Sequence, residues 1–119
     1  MSDLVQPTYG SLGQYLDGIY NAKTRPVFNR LVDQVGTTAV QIAPNDPKRL
    51  GITVVNLSSS TLYVAFSNLV SSDRGILLTQ NGGSLNLVPE HDFDLVGWEM
   101  WAVAGAANSQ IYVVEVVLR

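Results

Sequence analysis

The amino-acid sequence predicts a mainly β protein: an antiparallel β-sandwich, jelly-roll-like or immunoglobulin-like in strand order, behind a short N-terminal helical arm. Three observations carry this expectation. The spacing of apolar residues changes from a helical period to alternation near Thr37. Turn-forming residues then recur at intervals of about 8–12 residues, the rhythm of an all-β domain. The last run, residues 110–118, is apolar on both faces, as in a central strand or one whose exterior is covered. A chain of 119 residues holds one hydrophobic core. The expected division is an arm over residues 1–35 and a β domain over residues 36–119.

The arm is read from capping and stripe patterns. Residues 1–10 form an extended leader, since Pro7 and Gly10 oppose an earlier helix start. Ser11 can cap a helix, with Gln14 at the spacing where the two side chains satisfy each other's first-turn amides. Leu12, Tyr15, Leu16, Ile19 and Tyr20 then fall on one helical face. Gly13 and Gly18 each weaken that helix by roughly 1 kcal/mol relative to alanine, so it has to lie against something. Thr24 can cap a second helix with Pro26 in its first turn, where the missing amide is harmless. Val27, Leu31, Val32 and Val35 give that helix its apolar face, Phe28 flanks it and Gly36 ends it. Both stripes either fold back on their own β domain or reach a neighbouring subunit.

The β domain begins with alternation at Thr38, Val40 and Ile42, stopped by Pro44 and the turn residues Asn45, Asp46 and Pro47. Residues 49–57 read as a strand with Ile52 and Val54 on one face and Thr53, Val55 and Leu57 on the other; Asn56 on the apolar face marks a strand end. The triple serine at residues 58–60 reads as a turn, and residues 61–67 as a strand returning antiparallel to it in a hairpin. A short strand follows at residues 75–79, and Gln80, Asn81, Gly82 and Gly83 signal a tight turn. Residues 84–87 alternate again up to Pro89. Residues 92–97 and 98–104 read as two further strands with a corner near Gly97, and residues 104–109 as a loop before the final strand.

Composition narrows function. There is no cysteine, which removes disulfides, thiolate nucleophiles and cysteine metal sites. The sequence has neither a run of about 18 apolar residues nor a secretory-type N-terminus, so a soluble chain with no membrane partner is expected. Charged residues make up only 14%, against about 25% in ordinary domains, so less of the surface is charged than a solitary protein presents. The formal charge is -3, and no basic cluster with interleaved aromatics offers an electrostatic footprint for nucleic acid.

Candidate chemistry is sparse. His91 is the one histidine, and with Glu90, Asp92 and Asp94 it forms a weak oxygen-ligand cluster that reads equally as a solvated loop. The serines sit in turns, without a nucleophile elbow. Asp92, Asp94, Glu99 and Glu115 supply carboxylates for a conceivable acid–base pair; Glu115, between two valines, is read as salt-bridged or at an exposed edge. Trp98, Trp101, Tyr63 and Tyr112 are candidates for a sugar-stacking platform, although core or interface use is the plainer reading. Phosphate-cradling glycine motifs are absent. The expectation is therefore a non-enzyme with no catalytic residue, metal or cofactor.

Two stretches, residues 49–87 and 101–116, resemble small virion proteins of tailed bacteriophages, of the head-decoration or cement-like type and related spike or fibre bases. The resemblance rests on the strand ending in Val55, Asn56 and Leu57, the return through Leu62, Tyr63, Val64, Ala65 and Phe66, the strand start at Gly75, the turn at Gly82, Gly83 and Ser84, and Trp101, Ala102 and Val103 before a small-residue loop. It implies a non-enzymatic β-sandwich that oligomerises, often as a trimer. Its partner would be the major capsid protein or another virion protein, and its place the capsid surface after synthesis in the host cytoplasm. The interface would be carried by Leu12, Tyr15, Leu16, Ile19, Tyr20, Val27, Phe28 and Leu31. The alternative is a carbohydrate-binding or host-recognition module of a tail or fibre.

Overall fold

The computed structural model describes residues 23–118, which form nine strands and one short helix. The strands are β1 (Thr24–Phe28), β2 (Gln34–Val35), β3 (Val40–Ala43), β4 (Arg49–Asn56), β5 (Leu62–Ala65), β6 (Ile76–Leu78), β7 (Ser84–Leu87), β8 (Met100–Ala104) and β9 (Ser109–Leu118). Helix α1 (Pro89–Asp92) and a 3-10 turn (Phe93–Gly97) lie between β7 and β8. Every pairing is antiparallel. One sheet runs β1-β9-β4-β7, with β2 also on β9; the other runs β3-β8-β5-β6.

Alternation decides which side of each strand is buried. In β4 the buried positions are Arg49, Ile52, Val54 and Asn56; in β9 they are Ser109, Ile111, Val113, Glu115 and Val117. Of these, Ile52, Val54, Ile111 and Val113 form one hydrophobic cluster with Ile42, Leu62, Val64, Leu78, Met100 and Ala102 of the other sheet. Fully burying a side chain of this size is worth roughly 1.5–3 kcal/mol, so this cluster supplies the main favourable term of folding. β9 is flanked by β1 and β4, which makes it the interior strand that its two apolar faces predict.

Three sequence expectations are corrected. Residues 24–35 do not form a helix: β1 and β2 occupy them and pair with β9 at registers such as Phe28↔Val114 and Gln34↔Gln110. Between those pairs the first chain has five residues (29–33) and β9 has three (111–113), so the edge bulges outward. Asn29 makes the bulge possible. It sits at φ 45, its amide donates to the Val113 carbonyl at 2.8 Å, and its Oδ1 accepts the Val113 amide at 2.7 Å, in place of a strand partner. Pro26 suits an edge strand as well as it suits a first helical turn. The other expected helix, with Leu12, Tyr15, Leu16, Ile19 and Tyr20, lies outside the described residues.

The second correction concerns the hairpin expected between residues 49–57 and 61–67. β4 pairs with β9 and β7, whereas β5 pairs with β8 and β6, so the serine turn carries the chain from one sheet to the other. The corner is held by Asn56, fully buried at the end of β4. Its Nδ2 donates to the carbonyls of Ser60 (2.8 Å), Leu78 (3.1 Å) and Thr79 (3.2 Å), and its Oδ1 accepts the amide (3.0 Å) and hydroxyl (2.7 Å) of Ser58. The turn after β6 crosses back beside it, with Asn81 at φ 60 and Gly82 at φ 116, as their residue types predict.

Third, residues 92–97 form the last turn of α1 and the 3-10 turn, not a strand. Pro89 starts the helix, and the Asp92 carboxylate accepts the Val88 amide at 2.9 Å, which closes the turn locally.

Candidate functional site

Three places in the described structure concentrate functional side chains. The first is a buried charge network at the end of β4. Arg49 Nε donates to Glu115 Oε1 at 2.6 Å, and both side chains are fully buried. The same guanidinium reaches three carbonyls: Val96 (3.2 Å) and Trp98 (3.1 Å) through Nη1, and Pro44 (2.6 Å) through Nη2. From the rim, Arg30 Nη2 bridges Glu115 Oε1 at 2.9 Å and Asp46 Oδ2 at 3.0 Å. The outward bulge between β1 and β2 is what brings Arg30 to this position. The salt-bridged reading of Glu115 is therefore the one the geometry bears out, and its edge-strand alternative is not: β9 is interior. Arg49 as its partner has no sequence signature, because a residue 66 positions away is joined only by sheet pairing.

Asp46 joins the network at the surface. Partial burial raises its pKa, but the Lys48 amide, the hydrogen bond and charge of Arg30 and the charge of Arg49 outweigh that and hold the carboxyl below its ordinary value of 3.8. A depressed folded pKa contributes stability that is present above the unfolded value and is lost as pH falls through the folded one. Wild type is thus expected to lose stability faster than Asp46→Asn on acidification from about pH 4 downward. Urea midpoints for both proteins at several pH values measure the difference, and parallel curves would show that the contact with Arg30 contributes nothing.

The second place is the outer face of the five-stranded sheet. Register places Pro26 and Phe28 of β1 beside Val116 and Val114 of β9, and Gly51, Thr53 and Val55 of β4 beside Val116, Val114 and Tyr112. All of these alternate with core residues and so point away from the core. Phe28 stacks on Tyr112, with ring centroids 6.1 Å apart and planes within 11°. Toward α1 the face dips into a groove of ≈ 520 Å³ lined by Gly51, Thr53, Asn86, Pro89, Glu90, Val114 and Val116 among others. Of the sequence-predicted interface residues, Phe28 is exposed on this face. Val27 is half-buried beside Glu115, Leu31 is exposed in the bulge, and the remaining five lie outside the described residues.

The third place is a concavity of ≈ 280 Å³ where the loop after β3 meets the 3-10 turn, lined by Asn45, Pro47, Arg49, Phe93, Asp94, Val96, Gly97 and Trp98. The four rings that were candidates for a sugar-stacking platform do not come together. Tyr112 is on the outer face of one sheet, Tyr63 and Trp101 alternate with core residues of the other, and Trp98 precedes β8. Trp98 instead shares this concavity with Phe93, a ring in a segment whose residue pattern suits a strand. His91 and Glu90 are exposed on α1, and Asp92 is engaged by the Val88 amide. Among the described residues there is no group of three or more His, Cys, Asp or Glu able to hold a metal ion. Nor is any described helix long and apolar enough to cross a membrane.

No protein-family model and no curated protein matches the chain. The class that the fold and these sites define is a mainly β domain with two antiparallel sheets around one core.

Proposed function

We propose that this protein is a non-enzymatic structural module that grips neighbouring protein chains, in the manner of the head-decoration and cement-like proteins it resembles in sequence. Its two sheets act as a β-sandwich that holds the binding faces rigid, and residues ahead of β1 serve as an assembly arm. The partner is the major capsid protein or another virion protein, on a capsid surface, with the protein itself a homo-oligomer, a trimer by preference.

The observation that carries this reading is the outer face of the five-stranded sheet. Core-type residues occupy both sides of β9, and Phe28, Val55, Tyr112, Val114 and Val116 present a contiguous apolar surface where a solitary sheet alternates to polar groups. A low charged fraction, 14%, supports the same reading, since interface cores are depleted of charge. The mechanism is physical. A specific contact buries about 1,000 Å² or more, and copies bridging adjacent shell subunits raise the barrier to rupture without a reaction.

Light scattering of the full chain is expected to give a discrete multiple of the 12.9 kDa chain mass. The variant Val116→Asp, with its carboxylate on the outer face, is expected to weaken association by at least about tenfold while the circular dichroism spectrum is retained. A monodisperse monomer with no affinity for phage shells would remove this reading.

A further inference from the structure

We propose that the concavity between Phe93 and Trp98 is a binding site for a neutral sugar ring, either a free hexose or the exposed end of a glycan. It lies apart from the outer sheet face and does not depend on the assembly role.

The site is built before any ligand arrives. Its two walls, the loop after β3 and the 3-10 turn, are joined by the Asp46 amide donating to the Gly97 carbonyl at 2.8 Å. A Cβ at Gly97 would stand 2.8 Å from the Asp46 carbonyl oxygen, so only glycine permits this approach. Arg49 ties the same walls from beneath, through the carbonyls of Pro44, Val96 and Trp98. Such prior ordering lowers the entropy lost on binding.

Both aromatic rings are displayed rather than packed. Phe93 is 75% exposed and Trp98 48%. The polar edge of the Trp98 indole is already satisfied, because Nε1 donates to the Phe66 carbonyl at 3.2 Å, so what remains accessible is apolar ring surface. Phe93 is fixed at φ 52 where α1 passes into the 3-10 turn, a backbone state bulky residues rarely adopt.

Charge selects the ligand class. The Arg49 guanidinium in the floor is committed to Glu115 and three carbonyls, which leaves Asp94 as the wall charge available to a ligand. An anion is repelled by Asp94, and the positive charge of Arg49 is matched by Glu115, so the floor offers no net charge to an ionic ligand. A neutral ring with one apolar face and a rim of hydroxyls fits both conditions: the face stacks on the rings, the hydroxyls donate to Asp94, and the Asn45 amide donates and accepts. A purely apolar ligand would leave Asp94 and Asn45 desolvated without partners.

The test titrates the full chain with glucose, galactose, mannose and N-acetylglucosamine, following the Trp98 indole N–H by NMR, alongside a glycan array. A saturable shift at Trp98 with at least one sugar is expected. Phe93→Ala and Asp94→Ala, both at exposed positions and so compatible with folding, are expected to weaken it by about tenfold or more, and Tyr112→Ala to leave it unchanged. A silent array with no shift at Trp98, binding that survives both substitutions, or saturation by choline chloride in place of sugars would each overturn the proposal.

Discussion

Replacing Arg49 with alanine is expected to destabilise the protein by about 3–5 kcal/mol, because it strands a fully buried carboxylate. Glu115 is 0% exposed, its Oε1 takes hydrogen bonds from Arg49 at 2.6 Å and Arg30 at 2.9 Å, and its Oε2 has no partner among the described residues. Without Arg49 the only cation left in contact among the described residues is Arg30, whose side chain is 29% exposed and shared with Asp46. A buried pair can often be exchanged for apolar residues of similar volume at little loss. Here the exchange Arg49→Met with Glu115→Leu is expected to recover only part of the stability. The carbonyls of Pro44, Val96 and Trp98 lose their donor in the double variant as in the single one. Urea denaturation of Arg49→Met, Glu115→Leu and the double variant gives the coupling directly. A loss below about 1 kcal/mol for Arg49→Ala would show that the interior at this end of β4 is wet enough to solvate Glu115.

The second large effect is expected from Asn56→Asp, which changes one NH2 group into an oxygen. Nδ2 faces three carbonyl oxygens at 2.8–3.2 Å, so an ionised aspartate would be surrounded by acceptors in a buried corner. We expect a loss on the order of 3–4 kcal/mol at neutral pH. The sign of its pH dependence is diagnostic. Burial among acceptors raises the folded pKa of the new carboxyl above its unfolded value, so protonation is tighter in the folded state and the defect shrinks as pH falls toward 4. Thermal melts of variant and wild type at pH 7 and pH 4.5 test this. A defect that grows on acidification would mean that the corner is held by something other than the Nδ2 hydrogen bonds.

These two residues also show where sequence reasoning stops. Local rules worked where the cause was local. Asn81 and Gly82 adopt the positive φ their residue types allow, β6 and β7 lie where alternation and Pro89 place them, and Asn56 ends its strand. They failed where two structures satisfy the same pattern. Thr24, Pro26 and the valines after them suit a capped helix in isolation, yet the free edge of β9 offers a ladder of amides and carbonyls that a strand can satisfy. The serine turn suits a hairpin, but β4 and β5 gain more by placing Ile52 and Val54 in the same core as Leu62 and Val64 from separate sheets.

The candidate sites divide the same way. Glu115 was legible as one half of a salt bridge, but its full burial and its partner Arg49 were not, and Phe93 was hidden because its segment reads as a strand.

What the amino-acid order determined on its own was the mainly β class, the inward and outward face of most strands, and the positions of the tight turns, since each depends on contacts within a few residues. Which strands share a sheet, how Arg49 meets Glu115 and how Phe93 comes to stand beside Trp98 were settled only by tertiary packing. Those outcomes are differences in burial between competing arrangements of the whole chain, and no short stretch of sequence contains them.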